Sequence, residues 1–157
     1  MVYDLCHFDF KNPKLNDESI EYSACTFELD GKKIIHRASK ITPTKIGQFV
    51  TLWKRNQDGK TQPFDFNDEI DFVIITARND KHFGQFIFPK KVLADKGIIS
   101  QNDKPGKLGF RVYPPWDKPN NKQAEKSQNW QTNYFLTIET DGSTNLDFAK
   151  KLLNPNA

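Results

Sequence analysis

Hydrophobic and polar positions change period several times along this chain, and each change predicts an element. Cys25, Phe27 and Leu29 alternate with Thr26 and Glu28 up to Asp30-Gly31. Ile34, His36 and Ala38 then alternate with Lys33, Ile35 and Arg37. Two period-two runs joined by Asp-Gly predict a β-hairpin with strands over 24–29 and 32–38, and place Arg37 on the face away from His36. Glu69 to Ala77 is apolar on both faces, as in a central strand over 69–77 covered on both sides. Asp71 shares a face there with Val73, Ile75 and Ala77, so its charge requires the wet end of the strand or a partner. Residues 84–89 read as an antiparallel neighbour, and Lys90 to Lys96 as a short helix ended by Gly97. Leu108, Phe110 and Val112 predict a strand over 107–113, which Pro114-Pro115 stops.

Other stretches follow a helical period. Thr42-Pro43 has the form of a helix start, and Ile46, Phe49, Val50 and Trp53 recur at helical spacing, which predicts a helix over 43–55. Lys54 and Arg55 would sit in its last turn, against the negative end of the helix dipole. Ala124, Ser127, Gln131, Tyr134, Phe135 and Ile138 predict a second helix over 122–138, with Trp130 beside the stripe. A helical turn is expected over 17–22 and a short amphipathic piece around Leu146, Ala149, Leu152 and Leu153. The expected fold is α+β: one domain over 1–157, with a core over about 18–140 and fraying ends at 1–16 and 154–157. It has a mostly antiparallel central sheet of about five strands flanked by helices.

Composition agrees with such a domain. In 157 residues, 36% hydrophobic with thirteen Phe, there is material for a core that needs neither disulfide nor metal. A mean hydropathy of −0.72 and the lack of a run of about 20 apolar residues argue against a membrane-spanning helix. Cys6 and Cys25 are isolated, with no C-x-x-C spacing for zinc or redox work, and are expected to be reduced. Residues Met1 to Asp9 lack a basic segment followed by an apolar one, which leads us to expect a cytoplasmic location. Net charge is only +3, but its distribution is uneven. Residues 32–57 hold seven basic residues and no acid, leaving sixteen basic against twenty acidic residues elsewhere.

Several ordered motifs carry a resemblance. They are the run from Arg37 to Val50 that includes Ile41-Thr42-Pro43-Thr44-Lys45, then Trp53-Lys54-Arg55, Gly84-Gln85-Phe86-Ile87-Phe88-Pro89-Lys90 and Arg111-Val112-Tyr113-Pro114-Pro115-Trp116. Gln123-Ala124 and Trp130-Gln131 follow them. Together, over roughly residues 20–136, they resemble the MepB family. That family takes its name from a staphylococcal operon that also encodes a multidrug efflux pump and its regulator.

The basic segment points to an anionic partner. Arg37, Lys40, Lys45, Lys54, Arg55, Lys90 and Arg111 are the candidate phosphate contacts, and Trp53, Tyr113, Trp116 and Trp130 the candidate stacking residues. The expected function is nucleic-acid binding, DNA or RNA, with little sequence preference and no membrane partner. A groove of that kind requires Arg37, Lys40, Lys90 and Arg111 to face one side. No cofactor is expected for binding alone. An alternative is a divalent-metal nuclease similar to the PD-(D/E)XK architecture. Glu21 and Asp71 would then hold Mg or Mn, with Asp71, Gln85 and Lys90 as catalytic residues. The spacing departs from that pattern, because Ile87 occupies the lysine position and Lys90 has the opposite strand parity. A pocket for a small anionic or aromatic ligand, or for a protein, is the third class. His7, His36 and His82 show no metal-ligand spacing, and no G-x-S-x-G elbow, Walker loop or G-x-G-x-x-G occurs.

Overall fold

The hairpin read from Asp30-Gly31 is the seed of the architecture. Both residues adopt positive φ, 52° and 80°, the backbone of a tight turn that matches the twist of paired strands. The computed structural model describes residues 10–15, 24–139 and 144–154. The helical turn expected over 17–22, Glu21 within it, and Cys6 and His7 lie outside the described residues. Strand β1 is Phe10–Leu15, inside the stretch expected to fray, and it pairs antiparallel with β2, Cys25–Leu29. Strand β3 is Lys32–Ala38, followed by β4 (Lys40–Ile41), β5 (Gln48–Thr51), β6 (Lys54–Arg55) and β7 (Thr61–Gln62). The long strands β8 (Phe72–Arg78) and β9 (Phe83–Pro89) lead into helix α1 (Lys90–Asp95). After β10 (Gly109–Val112) come helix α2 (Lys122–Gln131), a 3-10 turn over Thr132–Tyr134, β11 (Phe135–Thr137) and helix α3 (Leu146–Leu153).

Six strands form the main sheet in the order β1-β2-β3-β8-β9-β11. Among the described strands only the β3–β8 pair is parallel, so the fold is the expected α+β with a mostly antiparallel sheet. The crossover between those two strands carries β4 to β7. A second sheet, β10-β5-β4, packs over one face of the first. Between them Ile35, Val73, Ile75 and Phe88 meet Val50, Leu52, Phe110 and Val112, with Leu93 of α1 and Trp130 of α2 at the margin. On the other face, Ile34, Ile74 and Ile87 pack under Ala149 and Leu153 of α3. Gln48, 2% exposed, joins the sheets: its side chain accepts from Ser39 Oγ at 2.6 Å and donates to the Arg78 carbonyl at 3.1 Å.

Two helical expectations are corrected. Residues 43–47 are bends and 48–51 a strand, so the helix over 43–55 is absent. Gly47 holds φ at +86°, which ends any right-handed helix there. From Gln48 to Leu52 burial alternates with period two, and the buried glutamine conceals that alternation in the sequence. Aromatic and β-branched Phe49, Val50 and Thr51 then suit the strand that β10 pairs with. Consequently Thr42 caps no helix, and Lys54 and Arg55 lie on β6 rather than in a last helical turn. Helix α2 stops at Gln131 instead of 138, because Phe135 to Thr137 pair with Phe86 to Gly84 at the sheet edge. Gly84 makes this possible: a Cβ there would fall 2.3 Å from Phe135 Cζ.

Candidate functional site

The candidate cations fall into separate neighbourhoods. Arg37 is 1% exposed, its Nη1 donating to the His36 carbonyl at 2.9 Å and its guanidinium 6.0 Å from the Phe64 ring. It faces the interior between the two sheets, so a polyanion at the surface does not reach it. Lys54 pairs with Asp68 at 2.5 Å, and Lys90 Nζ reaches the Asp68 carbonyl at 3.5 Å while lying 4.7 Å from the Phe66 ring. Arg55, exposed on β6, sits 5.2 Å from the Trp53 ring and donates to the Gly59 carbonyl at 3.1 Å. The single groove built from Arg37, Lys40, Lys90 and Arg111 is therefore not assembled.

The nuclease set is likewise not gathered. Asp71 is exposed just before β8, where its Oδ2 accepts from the Lys33 backbone N–H at 2.8 Å and its carbonyl accepts from the Lys90 backbone N–H at 3.1 Å. Its charge is met at a wet strand end. Gln85 stands opposite Thr76, toward the other end of the same ladder, and its Nε2 donates to Thr76 Oγ1 at 3.0 Å. Five residues of strand, roughly 16 Å, separate the two along the sheet. Among the described residues no three His, Cys, Asp or Glu side chains are placed to share a metal ion.

What the fold does gather is a cleft of about 490 Å³ where β10 and the bend over 44–46 meet α2 and the segment around Lys96. Lys45, Lys96, Lys107 and Arg111 line it, and its lining contains no carboxylate. Among the described residues none of these four has an acidic partner, whereas Lys33, Lys54 and Lys91 each pair with one. Arg111 is held in place: Nη2 donates to Thr42 Oγ1 at 2.8 Å, Nη1 reaches the Ile46 and Gly47 carbonyls at 3.4 Å, and the guanidinium lies 5.9 Å from the Phe49 ring. The threonine expected to cap a helix thus orients a cation instead. Cross-strand registry puts Lys40, Phe49 and Arg111 in one row across the second sheet.

Tyr113 and Trp130 are the two expected stacking residues that line the cleft. Trp130 leans on buried Phe88 with ring centroids 5.3 Å apart, and Lys96 Nζ lies 5.4 Å from its centroid. Trp116 instead stacks on His82 at 5.0 Å and meets Phe135 edge-on at 5.5 Å. One buried amide sets the geometry of the wall. Gln131, 2% exposed, accepts from the Tyr113 N–H at 2.8 Å and donates to the Arg111 carbonyl at 2.9 Å, so a side chain of α2 continues the hydrogen bonding of β10. Sequence reasoning missed Lys96, Lys107 and the role of Gln131. Asp95 and Asp103 mask the two lysines in any count of local charge, and only Trp130-Gln131, as a motif, drew attention to the amide.

Other titrating groups are secondary. Burial pushes the Asp117 carboxyl above its ordinary value. Burial also raises the Cys25 thiol, against a smaller opposing pull from Arg37, which makes it a weak nucleophile. The hydrogen bond and charge of Glu69 raise Lys33, and Lys33 lowers Glu69 in return.

The chain is 34% identical to the protein in a crystal structure of MepB, with a TM-score of 0.80 over 83% of this chain and 88% of that one. A bacterial homing endonuclease structure is similar at 14% identity and a TM-score of 0.47, covering 83% of this chain and 81% of that one. A protein of Histophilus somni (strain 129Pt) named as an outer-membrane lipoprotein carrier is 28% identical over 162 residues, 90% of this chain and 73% of that protein. No helix among the described residues is long and apolar enough to cross a membrane. The MepB-like family model matches residues 16–137, the span that contains the cleft and every strand of both sheets after β1, and this chain belongs to that family.

Proposed function

We propose that this domain binds nucleic acid, with little sequence preference, through the cleft between β10 and α2. The observation that carries the reading is the set of four cations, Lys45, Lys96, Lys107 and Arg111, around a recess with no carboxylate in its lining. Cations left unpaired with acids keep their charge available to phosphates, whose condensed counterions they release. A carrier of lipid-modified cargo needs an apolar receiving surface, and the cations and amides of this cleft favour a polyanion over such cargo.

The test is fluorescence anisotropy of labelled oligonucleotides at two salt concentrations. Four phosphate contacts predict a fall in affinity of roughly 50- to 150-fold between about 50 and about 200 mM salt. Reversing the exposed pair with Lys96→Glu and Lys107→Glu should cost at least about tenfold in affinity with little change in Tm. Lys90→Gln, by contrast, should change affinity by less than about twofold. Absence of binding even at low salt overturns the proposal. A gel of the same samples with added Mg or Mn should show intact oligonucleotide, and metal-dependent shortening would replace binding by nuclease activity as the reading.

A further inference from the structure

The cleft has an interior as well as a charged rim, and the interior discriminates between forms of nucleic acid. Building on the proposed nucleic-acid reading, we infer that the cleft admits one unpaired nucleotide, its base against Trp130 and Tyr113, so that the ligand is a single strand. About 490 Å³ lies within the roughly 300–1,000 Å³ of pockets that bury a small organic group, enough for a nucleotide. A duplex presents phosphate ridges on a wide cylinder and keeps its base faces stacked inside, so it meets the rim cations and leaves the aromatic floor untouched. An unstacked base turns its face outward and enters.

The two aromatic groups are held for that contact. Trp130 is backed by fully buried Phe88, and the exposed Lys96 lies over its ring. A base that stacks on the indole takes the place of the ammonium, which then turns to the adjoining phosphate. Tyr113 is fixed through its backbone by Gln131 and through its ring by Gly47, where an added Cβ would come within 2.7 Å of Tyr113 Cε1. Asn120 and Gln123, both exposed at the cleft, offer a donor and an acceptor each. Amides of that kind satisfy any base edge without selecting one, in keeping with low sequence preference.

The experiment compares a mixed-sequence single strand with the same sequence as a duplex, at equal ionic strength, and repeats the single strand with 2-aminopurine at internal positions. Stacking of one base predicts a preference for the single strand of roughly 5- to 150-fold, with 2-aminopurine fluorescence quenched on binding to the unaltered protein. Trp130→Leu should remove most of that preference. Because Trp130 packs on Phe88, its melting is measured alongside, and the 2-aminopurine signal stands without any variant. Equal affinity for the two forms with no quenching overturns this inference and leaves the binding proposal in place. Failure of both forms to bind overturns both. A free mononucleotide that binds as tightly as the strand also overturns it, since the ligand would then be a small molecule.

Discussion

Replacing Gln131 by leucine removes two hydrogen bonds at the wall of the cleft while keeping the side chain close to its original size. The Tyr113 N–H and the Arg111 carbonyl lose partners at 2.8 and 2.9 Å. A buried polar group without a partner costs about 1–3 kcal/mol. Both lost bonds are only partly buried, so water recovers part of the loss, and we expect a net destabilisation of about 2–4 kcal/mol. For a chain of this length that is roughly 5–15 °C in Tm. Gln131→Glu separates donor from acceptor. It keeps the acceptor for Tyr113, loses the donor to Arg111, and places a carboxyl at a site 2% exposed. Burial raises such a carboxyl in the folded state, so the folded protein binds the proton more tightly than the unfolded chain. The deficit relative to wild type should therefore widen as pH rises through the carboxylate range and narrow again in acid. Thermal melting followed by circular dichroism at several pH values measures both variants, and oligonucleotide anisotropy below the transition reads the displacement of Arg111 and Tyr113 as lost affinity. If Gln131→Leu melts within a degree or two of wild type and binds equally well, the clamp has no role and the argument for a preset wall fails.

Two further outcomes follow from the same structure. Gly47→Ala forces a side chain into φ +86° and against the Tyr113 ring, so we expect a loss of about 2–4 kcal/mol, checked by denaturant melts, together with weaker oligonucleotide binding. An unchanged midpoint would show that the bend over 43–47 relaxes freely. The Asp117 carboxyl, raised by burial, disfavours folding as it ionises, so stability is lost as pH rises from its unfolded value through its folded one. Asp117→Asn should accordingly raise Tm at neutral pH and lose that advantage in acid, where wild-type Asp117 is protonated; an advantage independent of pH would point to another cause.

The local pattern was a sound guide wherever an element's own residues decide its form. Asp30-Gly31 supplies the positive φ values of the hairpin turn, Gly97 at φ +72° ends α1, and the amphipathic spacing of Leu146, Ala149 and Leu153 makes α3. The alternation of residues 25–29 and 32–38 likewise appears intact as β2 and β3, and the motifs that resemble the MepB family lie within the matched span. It misled over 43–55, where a buried polar residue, Gln48, broke the apparent alternation and left a spacing that imitates a helix. A side chain such as Gln48 or Gln131 is polar in the sequence and interior in the fold, because its hydrogen bonds go to strands distant along the chain.

The α+β class, the hairpin, the apolar central strand, the short helix that ends at Gly97, the amphipathic spacing of α3 and the family were all legible in the residues themselves. These follow from backbone preferences and from burial periodicity, which act over a few residues. Which cations stand together depends instead on tertiary contacts. Arg37 and Arg111 look alike in the sequence, yet one is sealed between two sheets and the other lies beside Lys45, Lys96 and Lys107. That separation comes from the parallel pairing of β3 with β8 and the folding of β5 and β10 across that sheet. Charge acts through space, and the distances that matter are set by contacts between residues far apart in the chain.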